Sequence, residues 1–378
     1  MIRLALDMLR ADRAKFFAMI LAVALSVFLM QNQAAILSSI MTMTGSQIRD
    51  VPAAGLWVME PDTECFDQAK PVRDTALYRV RGTDGVDWAV PLLKVDAFAR
   101  SENGKLTLAV ILGVDDSSLV GLPPRVILGD AAAIRERDTC LIDPGGYSLL
   151  FPKEPYVIGK RIRIADTFLR IVGISDASPP FTGFPIIHAT RSTAIPLNRG
   201  EGRNQTFILG QLKPGADAAA VCTSIESTTG LKARTAAQFT ADSQNFYASQ
   251  GVPMLFYIVI GIGLVVGAAI TGQTFLMFVK ENERHLSLMK VVGVTTPQMA
   301  GMLFCQAGLV VALGSCFGTG LATLTTSLSR TQPFLRGIYI PTYVAIATCT
   351  ALAVVTAAAV LLALRNVQKL EPASVFRG

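Results

Sequence analysis

The chain has 378 residues, of which 51% are apolar and only 16% charged, with a mean hydropathy of +0.45. A soluble domain carries about 25% charged residues, so this balance excludes an ordinary soluble enzyme. The net charge of +6 does not mark a nucleic-acid binder either, because many of the Lys and Arg residues flank apolar runs instead of gathering on one element.

Residues 1–15 form a basic, amphipathic N-terminal segment carrying Arg3, Arg10, Arg13 and Lys15. A membrane helix needs about 20 predominantly apolar residues, and residues 16–40, led by FFAMILAVALSVFLM, supply the first. That block also suits a signal peptide. No A-x-A site follows it, however, and apolar character resumes after Gln31-Asn32-Gln33, so it reads as an uncleaved helix.

Residues 41–252 contain no comparable run and read as one large extracytoplasmic domain of mixed α and β structure. Strands are expected at 55–59, 106–114 and 125–128. Residues 159–174 alternate apolar and polar side chains on both sides of Ala165-Asp166-Thr167, a hairpin pattern. Pro214-Gly215 opens a helix through about Ser227, with Gly230 as its C-terminal stop, and a strand follows at 232–235. Pro and Gly clusters at 122–124, 143–146 and 178–181 mark loops.

Three more spans follow at 253–279, 299–324 and 342–364, separated by a loop at 280–298 and another at 325–341, with a tail at 365–378. Basic residues set the orientation. Those before the first span, Lys280, Arg284 and Lys290 in the first loop, and Arg365, Lys369 and Arg377 in the tail all fall on one side, which is therefore cytoplasmic. Arg330 and Arg336 lie in the opposite loop and weaken the bias without reversing it. The expected fold is four transmembrane α-helices plus a mixed α/β extracytoplasmic domain.

Cys65, Cys140 and Cys222 are far apart, Cys305, Cys316 and Cys349 lie in apolar segments, and His188 and His285 are the only histidines. No metal site is expected from this set. Two of the outer cysteines could pair in an oxidising compartment; three buried small apolar residues is the favoured reading. Asp115, Asp116 and Asp143 have no His nearby in sequence and read as solvated loop carboxylates. The Phe181–Pro185 stretch reads as packed within its domain. No G-x-S-x-G elbow occurs, no ionisable residue lies well inside a span, and no catalytic residue is assigned.

The most informative stretch is KENERHLSLMKVVGVTTPQM, residues 280–299. At helical spacing Leu286, Met289 and Val292 share a face, with Leu288 at its edge. Glu283 and Lys290 border that face, and Arg284 points away. Gly293 ends the helix and Thr296-Pro297 opens the next. Such a helix either docks in a groove of a cytoplasmic partner or rests on anionic headgroups. In the second and third spans, Gly263/Gly267 and Gly314/Gly318 are G-x-x-x-G pairs. They suit either a dimer seam or packing within one chain, the latter favoured.

ENERHLSLMKVVGVT resembles the coupling-helix region of FtsX/MacB-type ABC transporter permeases, with His285-Leu286 where that family usually has an acidic residue. VVGAAITGQTFLMFVKENERHLSLMKVVGV with LFCQAGLVVALGSCFG resembles the DevC-like branch, as do FLMQNQAAI, GLWVMEP and KLEPASVF. GKRIRIADTFLRIVGI and LGQLKPGADAAAV are similar to recurring elements of the family's outer domain. The resemblance covers nearly the whole chain in order. It implies a homodimeric permease in the bacterial inner membrane, its large domain in the periplasm, bound to a cytoplasmic ABC ATPase that holds ATP and Mg. It assigns ATPase coupling to Glu283, Arg284, His285, Leu286, Met289, Lys290, Val292 and Gly293. For the DevC-like branch it implies mechanotransmission to a periplasmic adaptor and an outer-membrane channel, in efflux or lipid export. An FtsX-like regulator of a periplasmic cell-wall hydrolase is the alternative, and a membrane-anchored sensor the third. No G-x-x-x-x-G-K-[ST] loop is present, since Gly104-Lys105 and Gly159-Lys160 lead into Leu106 and Arg161; ATP hydrolysis is expected on another chain.

Overall fold

The computed structural model describes residues 13–198, 205–281, 287–289, 291–330, 332, 335 and 337–368. The chain divides into an α/β unit, Ser39–Val252 with Arg330–Gly337, and a helical unit made of the remainder.

Helix α1 (Arg13–Met43) is apolar around most of its circumference and about 46 Å long at 1.5 Å per residue. The α/β unit then runs α2 (Ser46–Arg49), β1 (Leu56–Met59), α3 (Ala76–Arg81), β2 (Val86–Ser101), β3 (Leu106–Val114) and β4 (Val126–Gly129). It continues with β5 (Thr139–Ile142), α4 (Pro144–Leu150), β6 (Arg161–Ile164), β7 (Thr167–Ser175) and β8 (Ile186–Thr190). Last come α5 (Arg191–Ala194), β9 (Phe207–Leu212), α6 (Ala218–Thr229), β10 (Lys232–Thr235) and α7 (Ala236–Ser249).

Strands β10, β1, β9 and the first half of β2 make an antiparallel sheet. Side chains alternate across it with the period of two that a strand imposes. Leu56 and Val58 pack with Leu77, Val80 and Ile225 of α3 and α6. Trp57 and Met59 point the other way, into an aromatic cluster with Phe66, Phe207 and Phe239. Trp57 meets Phe207 edge-on at 5.5 Å, and Phe66 stacks on Phe207 at 5.2 Å. Each such buried side chain contributes about 1.5–3 kcal/mol, which holds α7 to the sheet through Phe239.

The second half of β2 leaves this sheet and enters a closed ring. β2 pairs β3, β3 pairs β8, β8 pairs β5, β5 pairs β7, β7 pairs β6, and β6 returns to β2. This six-stranded barrel has no free strand edge within the ring, and closure is how β structure removes edges. β4 adds to β7 outside the ring. Alternate positions along these strands face inward, and Leu93, Val95, Ile111, Ile162, Ile164 and Leu169 fill the interior. Pro91 lies where β2 pairs only with β9 and its missing N–H costs no ladder bond on the free side.

Helices α8 (Val252–Glu281), α9 (Thr296–Ser329) and α10 (Thr342–Gln368) complete the helical unit. With α1 they are, among the described residues, the four helices long and apolar enough to cross a membrane. Met19, Val23, Val27, Val310, Leu352 and Val360 form the bundle core. Leu21, Leu25, Val265, Phe317, Ile346 and Val354 point outward and are exposed. A helix apolar on both its packed and its outer faces suits hydrocarbon, not water.

Candidate functional site

The segment between α8 and α9 is built by its C-terminal stop. Gly293 has φ +96°, a conformation that favours glycine. The Val294 N–H reaches back to Met289 O at 3.0 Å, the six-to-one bond of a Schellman turn. The same turn calls for an apolar contact between those two residues, and Met289 and Val294 both pack against the bundle core. Thr295 then starts α9, its N–H donating to Gln298 Oε1 at 3.0 Å.

Anchoring Met289 inward divides the expected apolar face. Met289 points into the bundle, whereas Val292 is 84% exposed, with Leu288 and Val291 exposed beside it. The outward apolar patch is therefore Leu288, Val291 and Val292, and the shared face expected for Met289 and Val292 is corrected. Glu283, Arg284, His285, Leu286 and Lys290 lie outside the described residues. At the neighbouring helix ends, Lys15 of α1 forms an ion pair with Glu281 of α8.

The four paired glycines all receive α1 of the same chain. A Cβ at Gly314 would lie 2.5 Å from Val23 Cγ1, and one at Gly318 would lie 2.5 Å from Ala24 O. At Gly263 and Gly267 it would meet Met30 Cγ at 3.2 Å and Ser26 Oγ at 2.7 Å. Two glycines from α8 and two from α9 thus form the bed in which α1 lies. The intrachain reading, favoured from the sequence, accounts for all four.

One polar node within the bundle has no counterpart in the expected site. Gln31 of α1 is fully buried; its Nε2 donates to Thr319 Oγ1 of α9 at 3.0 Å and approaches Cys349 Sγ of α10 at 3.6 Å. Its Oε1 has no partner among the described residues. In hydrocarbon such groups tie helices together. The only sequence signal is the polar interruption Gln31-Asn32-Gln33 within an apolar helix.

In the α/β unit the polar candidates resolve into structural roles. Asp143 is buried, not solvated as expected: it caps α4, accepting from Gly146 N at 3.1 Å and from Ile186 N at 2.7 Å. Asp115 accepts from Ser118 N at 2.9 Å and Asp116 from Ser192 Oγ at 2.7 Å. Asp67 accepts from Tyr247 Oη at 2.6 Å; burial raises its carboxyl above the usual range, and this bond opposes the shift. His188 is fully buried on β8, and burial pushes its imidazole down to about 3. Cys65, Cys140 and Cys222 are buried free thiols, Cys140 pushed up to about 12 by burial. Phe181 packs on Tyr247 at 4.2 Å, within its own unit. Among the described residues no cluster of three or more His, Cys, Asp or Glu side chains could hold a metal ion.

Four apolar helices and one inserted α/β unit define a polytopic membrane protein with an extracytoplasmic domain. Residues 16–228 match the MacB-like periplasmic core domain, and residues 257–372 match the FtsX-like permease C-terminal domain. The chain belongs to the FtsX/MacB-type ABC transporter permeases. Among solved structures, the extracellular domain of the ABC-type transporter YknZ from Gram-positive bacteria aligns at 14% identity, over 48% of this chain and 98% of that one, with a TM-score of 0.36. The periplasmic region of MacB from Actinobacillus actinomycetemcomitans aligns at 12% identity over 52% and 96%, with a TM-score of 0.38. A domain of a permease protein from Porphyromonas gingivalis aligns at 17% over 48% and 89%, with a TM-score of 0.32. Family membership rests on the two domain matches and not on these alignments. No curated protein matches the chain.

Proposed function

We propose that this permease subunit receives ATP-driven motion from a separate cytoplasmic ABC ATPase, which binds the ATP and Mg, and passes it to the α/β unit. In this reading the chain sits in the bacterial inner membrane as a homodimer, with the α/β unit in the periplasm. An adaptor and an outer-membrane channel complete a DevC-like export assembly for efflux or lipid cargo. The observation that carries the ATPase contact is the patch Leu288, Val291 and Val292, held outward by a turn whose other side is anchored in the bundle. An exposed apolar helix face on the cytoplasmic side of a membrane protein fits a groove on a partner. The packing of Met289 and Val294 on the bundle core gives motion of the patch a route to the spans. Coupling of this kind is a bias between two packed states of one unit.

The test is cysteine cross-linking from Val292→Cys to ATPase copies carrying single cysteines around their surface groove. A nucleotide-dependent cross-link from Val292→Cys, with none from Gly320→Cys on the outer face of α9, is the expected result. Equal cross-linking from both positions, or none from Val292→Cys in a complex with active ATPase, would overturn the assignment.

A further inference from the structure

The outer surface of the barrel carries an arrangement that its own fold does not need. Residues directly opposite on antiparallel strands have Cβ atoms about 4.5–5.5 Å apart, and like charges there are destabilising. Arg100 of β2 lies opposite Arg163 of β6, and Arg161 of β6 lies opposite Arg170 of β7. The intervening Ile162 and Ile164 fill the barrel, so all four arginines share its exposed outer face. Apolar side chains are interleaved with them. Phe98 precedes Arg100 on the same face of β2, Leu106 sits opposite Arg100 on β3, and Phe168 sits opposite Arg163 on β7. Phe98 and Phe168 are each 60% exposed.

Acids within the chain neutralise part of this charge. Arg163 pairs with Asp166 at 3.3 Å, and Arg170 pairs with Glu136. Glu102 is engaged with the Arg161 backbone N–H at 3.1 Å, and Asp96 with Lys94 at 2.6 Å. Arg100 and Arg161 have no acidic side-chain partner among the described residues. Basic side chains often protect a sheet edge, but β2, β6 and β7 are each paired on both sides here, so no edge needs protecting. The Arg163 guanidinium lies over the Phe168 ring at 5.9 Å, whereas the exposed Phe98 beside Arg100 has no ring or cation contact among the described residues. Arg and aromatic residues together are the composition of an interface core. The guanidinium fork also matches a carboxylate in two-point fashion, which a lysine does not. A cleft of about 600 Å³ opens beside the arginines, lined by Phe98, Arg100, Leu106 and Arg163.

We propose that this face docks an acidic segment of a partner protein on the extracytoplasmic side. Its carboxylates bridge the Arg100/Arg163 and Arg161/Arg170 pairs, and its apolar side chains seat on Phe98, Leu106 and Phe168. The docking stands on the barrel alone and not on the segment between α8 and α9, so failure of one leaves the other intact.

The experiment places the photo-reactive residue p-benzoylphenylalanine at Phe98 or Phe168 of the full chain in its native membranes. The same residue at Tyr78, exposed on α3, serves as the control. Adducts from 98 and 168, absent from 78, should map by mass spectrometry to an Asp- and Glu-rich protein segment. Arg100→Glu with Arg163→Glu should lower adduct yield by about tenfold, and Lys in place of the partner's cross-linked acids should restore it. Arg100→Gln with Arg163→Gln separates docking from folding. It should lower adduct yield while leaving the melting temperature of the chain in nanodiscs unchanged or higher, because cross-strand repulsion is relieved. Adducts only to lipid, adducts to a neutral or basic segment, no adduct at either position, or yields that survive the charge reversal would each overturn the proposal. So would a fall in melting temperature with Gln that accounts for the lost adduct.

Discussion

Replacing Gly318 by alanine adds one methyl group at a close approach of α9 to α1. That carbon would lie 2.5 Å from the Ala24 carbonyl oxygen and 2.8 Å from Val27 Cβ. Ordinary contact begins near 3.4 Å, and the first obstacle is backbone, so the two helices must separate by about 1 Å instead of a side chain turning aside. Overpacking of this kind costs about 1–3 kcal/mol. Two residues further on, Gly320 has no heavy atom within 4 Å of the same added carbon. Both substitutions gain the same helix propensity, about 1 kcal/mol, so that contribution cancels in the comparison. Gly318→Ala should therefore be about 1–3 kcal/mol less stable than Gly320→Ala. Reversible unfolding of the full chain in mixed micelles over an SDS titration would measure the difference. Equal stabilities would refute the account of α1 lying in a glycine bed. A larger loss at Gly320 would place an intermolecular contact on the outer face of α9.

His188 is neutral in the folded chain down to about pH 3, whereas the unfolded chain binds a proton below its ordinary pKa of 6.5. Its contribution is complete above pH 6.5 and is lost as pH falls, at about 1.4 kcal/mol per unit, or about 2 kcal/mol by pH 5. His188→Gln should flatten the pH dependence of the melting temperature between 6.5 and 4; an unchanged slope would contradict this. Asp50 and Asp67, both raised mainly by burial, act in the opposite sense at lower pH and are common to both proteins. Asp143→Ala orphans two buried N–H donors at about 1–3 kcal/mol each, and Asp143→Asn, which keeps one acceptor, should lose clearly less in thermal melts. For the node in the bundle, a double-mutant cycle of Gln31→Leu and Thr319→Val should give a coupling of about 0.6 kcal/mol, the average for interhelical hydrogen bonds in a membrane. Zero coupling would remove the bond from the account.

Local signals are what the sequence makes legible. The four spans stand out by length, and β3 and β10 end where alternation and turn residues place them. The β6–β7 hairpin turns at Ala165, which has φ +52°, and Gly230 closes α6 in the left-handed region at φ +71°. The capping box Thr235–Gln238 that starts α7 is also a local signal, T-x-x-Q, although the helix is not among the expected elements. Strand β2 escapes because Pro91 and the run VPLL fit neither alternation nor a helix. Its identity comes from pairing with β9 in one half and with β3 and β6 in the other. Strands β5, β8 and β9 are short and largely buried, which periodicity cannot separate from loop or helix. In the candidate site, Gly293 is legible as a stop. The division between inward Met289 and outward Val292 is not, because it arises from the contact of Met289 and Val294 with the bundle core. The outward arginine pairs are equally hidden, since only the β2–β6–β7 register brings Arg100 to Arg163.

The proposed coupling requires an ABC ATPase on another chain. Affinity purification of the tagged chain from its native membranes into nanodiscs, with partners identified by mass spectrometry, tests it most directly. Stoichiometric recovery of an ABC ATPase is expected, lost when Val291→Asp and Val292→Asp are combined and retained in Gly318→Ala. Complexes that keep their other membrane partners but contain no ATPase would contradict it.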